Sequence, residues 1–117
     1  MKALVKLIEA TLDADKAVNI VRIDLSGKSS IADYMVIATG GNARQVAAMA
    51  EHLAEKLKKK RNSSVPIEGR KHGEWVLVDA GDVIVHIFQP EARTHYALEK
   101  MWQAEFSDEP AKIVAGG

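Results

Sequence analysis

The chain has 117 residues, 47% of them hydrophobic and 27% charged, a make-up that fits one compact domain and argues against a disordered or fibrous chain. Its 16 basic and 16 acidic side chains cancel, so no global field draws it to nucleic acid or to an anionic membrane, and any such contact has to be local. Cysteine is absent, which removes disulfides, thiolate metal sites and a thiol nucleophile.

No apolar run reaches membrane-spanning length, and Lys6 and Glu9 interrupt the N-terminal run, unlike a signal peptide. The expectation is a soluble cytoplasmic protein. Leu4, Leu7, Ile8, Thr11 and Leu12 recur at helical spacing with Lys2, Lys6 and Glu9 turned away, which predicts an amphipathic helix over 2–14. In 18–25, "VNIVRIDL", Val21, Ile23 and Leu25 oppose Arg22 and Asp24, the period of a half-buried strand. Ser26 to Ser30 reads as a turn into Tyr34–Thr39, "YMVIAT", which is apolar on both faces and reads as a central strand.

Gly40-Gly41 breaks that strand, and Asn42 is placed to cap a long helix whose buried stripe is Val46, Met49, Ala50, Leu53 and Leu57. Its last turn carries Lys56, Lys58, Lys59, Lys60 and Arg61. Val65 to Glu68 suits a short edge strand, where Pro66 removes no ladder bond. "EWVLVDAGDVIVHIFQ" from Glu74 predicts a hairpin bent at Ala80-Gly81. Its register stays open: a type I turn closed by a Gly81 bulge and a two-residue loop put Trp75 and His86 on different relative faces. Pro90 suits the first position of a third helix with Thr94, Ala97, Leu98 and Met101 buried and Trp102 at the rim. Residues 1–106 then form a single domain, and 107–117 lack periodicity and are expected to be a flexible tail. The order predicts an α/β (α+β) fold, a mixed sheet of about five strands with three helices.

Gly27-Lys28-Ser29 matches the end of a phosphate-binding loop, but the first glycine of that motif falls on Arg22 inside a strand, and no helix follows. Ser26, Ser29 and Ser30 could be combined with His86 or His95 and Asp79 or Asp82 into a hydrolytic triad, yet there is no G-x-S-x-G elbow. His52, His72, His86 and His95 lack metal-ligand spacing, and no metal or cofactor is expected. Gly40-Gly41 lies where a nucleotidyltransferase turns toward its triphosphate. The alternating carboxylates that hold two metals are missing from the strands that follow. Lys58, Lys59, Lys60 and Arg61 could contact RNA phosphate, or could only complement the helix dipole. Trp75, Phe88, Tyr96 and Trp102 gather four of the six aromatic residues in the hairpin and last helix, as contact anchors or as core.

"GKSSIADYMVIATG", "ARQV" and "EWVLVDAGDVIVHIFQPEARTHYALEKMW" together closely resemble the ribosomal silencing factor (Iojap/RsfS) family. The resemblance runs from the first helix to Trp102, and the tail after Phe106 lies outside it. It implies a nucleotidyltransferase-like fold without catalysis. It also implies a translation repressor that binds the large ribosomal subunit through its fourteenth protein and sterically blocks the small subunit when nutrients are short. Carried onto this chain, the motif residues Trp75, Asp79, His86, Tyr96, Glu99, Lys100 and Trp102 are the expected partner surface. Apart from the resemblance, the basic run Lys58, Lys59, Lys60 and Arg61 leaves peripheral ribosomal RNA contact open beside its helix-dipole reading. Some members of that family occur as dimers, so a homodimer off the ribosome is a further expectation. The rival readings are a metal-dependent nucleotidyltransferase-like enzyme and a direct ribosomal RNA binder in large-subunit biogenesis.

Overall fold

The structure, a computed structural model, describes residues 2–28, 30–96 and 112–113. Helix α1 (Lys2–Ala14) leads into strands β1 (Val18–Asp24) and β2 (Tyr34–Thr39), then helix α2 (Ala43–Arg61), strand β3 (Ile67–Glu68), the hairpin β4 (Trp75–Asp79) and β5 (Val83–Phe88), helix α3 (Pro90–Tyr96) and strand β6 (Lys112–Ile113). The strands form one mixed sheet in the order β3-β4-β5-β2-β1-β6. Among the described residues only β2 and β5 run parallel, and α2 lies on the crossover between them.

Strand alternation divides the side chains between two cores. Tyr34, Val36, Ala38, Val76, Val78, Val83, Val85 and Ile87 point to one face and pack against α1 and α2. On α2 the predicted stripe of Val46, Met49, Ala50, Leu53 and Leu57 is fully buried there. About three turns of such side chains, at about 1.5–3 kcal/mol for each large one, give this helix its place in the fold. Val21, Ile23, Leu25, Met35, Ile37 and Phe88 form the second core on the opposite face, joined by Ala92 of α3 and by Trp75.

Local chemistry sets the boundaries of α2. Asn42 is extended, and its side chain accepts the Gln45 N–H at 2.8 Å, as expected of the cap. At the other end Asn62 adopts the left-handed conformation and donates its N–H to the Lys58 carbonyl, closing the helix.

The structure differs from expectation at three places. Glu9 does not face water: it is buried and accepts from Arg22 Nε and Nη2 at 2.6 and 2.8 Å, a fork that ties α1 to β1. Periodicity could not reveal this, because the carboxylate is compensated by a residue thirteen positions away. In α3 the buried residue is Ala92, while Thr94 is exposed and turns its hydroxyl back to the Pro90 carbonyl. Ala97, Leu98 and Met101 lie outside the described residues. Within the expected flexible tail, Lys112–Ile113 pairs antiparallel with Val21–Arg22 and adds a sixth strand beside β1.

Candidate functional site

The hairpin register decides which side chains share a face. Ala80 N–H bonds to the Val83 carbonyl across a two-residue loop, with Gly81 at φ +84 in the position where a positive φ is required. Trp75 therefore pairs with Phe88, Leu77 with His86, and Asp79 with Ile84. These six residues stand on the sheet face opposite α2.

Trp75 reaches diagonally to His86, and its indole N–H donates to Nδ1 at 2.9 Å. That bond leaves the imidazole proton on Nε2. Trp75 also stacks on Phe88, with centroids 5.1 Å apart and planes tilted by 26°. Burial pushes the His86 pKa down to about 4, so the ring is neutral near pH 7 and remains an acceptor for the indole. His86 is only 5% exposed and Trp75 is half-buried. Histidine here orients tryptophan from beneath, and the tryptophan stays partly exposed.

Asp79 accepts the Gly81 N–H at 2.9 Å and remains half-exposed at the end of the same row. Leu77 and Ile84 are half-buried beside it, and they are the two face residues that sequence reasoning did not single out. Their apolar type reads as ordinary strand filling, and only the register shows that they flank His86. Of the residues expected on the last helix, Tyr96 closes α3, but its side chain, like Glu99, Lys100 and Trp102, lies outside the described residues. The start of α3 is held to the sheet by Arg93, whose Nη1 donates to the Asn19 carbonyl and the Thr39 hydroxyl.

The basic residues Lys58, Lys59, Lys60 and Arg61 are all exposed at the end of α2. A Cβ placed on Gly81 would lie 3.6 Å from the Arg61 guanidinium, which puts this helix end over the hairpin tip.

At the candidate nucleotide turn, Gly40 packs beneath Val46, where an added Cβ would approach the valine methyl to 2.8 Å. The Gly41 N–H is taken by the Gln45 side chain at 2.6 Å. Close packing and self-capping thus account for the two glycines. Among the described residues no group of three or more His, Asp or Glu is arranged to hold a metal ion, and no helix is long and apolar enough to cross a membrane.

The geometry defines a small α+β domain with α1 and α2 on one sheet face and, on the other, α3 beside an aromatic hairpin surface. The chain belongs to the ribosomal silencing factor family, whose model, described as "Ribosomal silencing factor during starvation", matches residues 1–115. The match runs past Trp102 and through most of the segment that the motif resemblance left out. The chain is 52% identical over 108 residues to the ribosomal silencing factor RsfS of Zymomonas mobilis, covering 92% of this chain and 81% of that protein. It is 32% identical to a mouse protein named "Mitochondrial assembly of ribosomal large subunit protein 1", over 95% of this chain and 50% of the other. A crystal structure from Chromobacterium violaceum superposes with a TM-score of 0.82 at 35% identity, covering all of this chain and 95% of its own.

Proposed function

We propose that this protein silences translation in the cytoplasm by binding the large ribosomal subunit through its fourteenth ribosomal protein, where its bulk keeps the small subunit from docking. The observation that carries this reading is the family match along residues 1–115, together with the relatives that bear the silencing name at up to 52% identity over most of the chain. The hairpin face supports it. Trp75 is a rigid aromatic anchor braced by His86 and Phe88, with Leu77, Ile84 and Asp79 around it, the composition of a protein-contact patch. Steric exclusion needs no bond made or broken, so no catalytic group is called for.

Sedimentation with purified large and small subunits tests it. The protein is expected to co-migrate with large subunits and to reduce the yield of joined ribosomes. Normal joining at saturating protein would sink the proposal. The enzyme reading predicts binding of nucleotide with magnesium near Gly40-Gly41, and titration calorimetry is expected to show no heat.

The mouse relative's name favours a second reading, a role in building the large subunit. Cells lacking the protein would then accumulate immature large subunits during growth, whereas a silencing role predicts normal subunits and a failure to curb joining in starvation.

A further inference from the structure

We propose that the C-terminal end of α2 is a docking surface for the phosphate backbone of ribosomal RNA, a second contact that rests on the large-subunit reading and adds to the protein contact of the hairpin face. Five of the chain's 16 basic residues fall within the six positions 56–61, in a chain whose total charge is zero. Such a concentration calls for a reason.

Capping does not supply it. Asn62 already closes the helix in the left-handed conformation, with its N–H on the Lys58 carbonyl at 2.7 Å. The helix dipole is complemented by one or two cations within the last turn, and it does not require five. Nor does an ion pair among the described residues neutralise the charge. The ion pairs among the described residues join Glu9 to Arg22, Asp15 to His52 and Glu51 to Arg70, and none involves the basic run. Glu55, one turn earlier on the same helix, is exposed and makes no ion pair with a described residue. Lys58 to Arg61 are therefore exposed cations that no ion pair with another described residue neutralises.

Position supplies the second argument. Arg61 lies over Gly81 at the hairpin tip, next to Asp79, the last residue of the Trp75–Leu77–Asp79 row. A partner that covers the row and wraps round the hairpin tip meets the Arg61 guanidinium beside Gly81. Large subunits are built of protein set in RNA, so a surface that meets an embedded protein at Trp75 meets phosphate at its border.

The chemistry favours phosphate over bases. Residues 53–64 contain no aromatic side chain on which a base could stack. Consecutive cations on a helix fan about its axis and act as mobile point charges, which suits sequence-independent contact with a phosphate chain and makes it sensitive to salt.

The test titrates the full chain and a quadruple variant, Lys58→Gln with Lys59→Gln, Lys60→Gln and Arg61→Gln, onto purified large subunits across a range of salt concentrations. At about 0.7–0.9 per phosphate contact, the slope of log affinity against log salt is expected to fall by about three in the variant. The variant's affinity for the isolated fourteenth protein should be unchanged. An unaltered slope overturns the proposal, and so does an equal loss of affinity for the isolated protein, which would assign the cations to an acidic protein surface. If the unmodified chain fails to bind large subunits at all, the proposed function itself has failed, a result distinct from either of these.

Discussion

The indole of Trp75 donates its N–H to Nδ1 of His86 across the hairpin, so a buried histidine fixes the orientation of a half-exposed tryptophan. Because burial holds the His86 pKa at about 4, below the 6.5 of a solvated imidazole, the unfolded chain takes up this proton before the folded one does. The neutral ring's contribution is therefore complete above pH 6.5 and is lost as pH falls toward 4. A shift of that size corresponds to about 3 kcal/mol. Urea unfolding between pH 4 and 7 should show a slope for the native protein that exceeds that of His86→Gln by up to one proton. Parallel curves would show that His86 does not titrate in this window.

The Glu9–Arg22 fork leads to a different expectation. The Glu9 side chain is 7% exposed and the Arg22 side chain 22%, so removing the guanidinium strands a carboxylate in the interface between α1 and the sheet. Arg22→Met should destabilise the fold by about 3 kcal/mol. The double variant Glu9→Leu with Arg22→Met should recover most of that loss, because no charge is then left uncompensated. Chemical denaturation of the single and double variants measures both, and a double variant as unstable as the single would refute the argument.

Elements with a strong internal period could be read directly from the residues. The α2 stripe and its Asn42 cap are local facts, spaced three and four apart, and they fold as the spacing implies. The face shared by Trp75 and His86 was not legible, because two loop geometries of similar cost give opposite answers and the choice is made by the Ala80–Val83 bond and Gly81. Glu9 was misread for a related reason: a charged residue is assigned to solvent unless its partner is known, and Arg22 reaches it only once the strand is docked. Thr94 and Ala92 exchange roles in α3, a helix of seven described residues in which the pattern covers barely two turns. In the candidate surface, Trp75 and Asp79 stood out by residue type, whereas Leu77 and Ile84 are ordinary strand residues whose position alone makes them of interest.

Two glycines should respond differently to alanine. A Cβ on Gly69, at φ +83, would lie 2.2 Å from the Trp75 carbonyl oxygen, which is backbone and cannot swing aside. At Gly81, φ +84, the nearest atom is the end of the flexible Arg61 side chain at 3.6 Å. Gly81→Ala should cost about 1 kcal/mol from the left-handed backbone alone. Gly69→Ala adds a clash and should cost several-fold more, on the order of 3 kcal/mol. Thermal melts of the two variants give the ordering, and equal losses would mean that the loop after β3 relaxes freely.

Leu77 offers the sharpest probe of the hairpin face. It is half-buried directly opposite His86, so an arginine placed there can extend its charged end to water in the free protein and leave the sheet intact. If a ribosomal protein covers this face, the same guanidinium is forced into an apolar contact without a counter-charge, a penalty of about 3 kcal/mol or more. Leu77→Arg should then weaken co-sedimentation with large subunits by at least about a hundredfold at unchanged far-ultraviolet circular dichroism. Ala48→Arg, on the exposed side of α2 and therefore on the other side of the sheet, serves as the control and should bind normally. Equal binding by both variants would remove the hairpin face from the interface and leave the contact to be sought elsewhere on the domain.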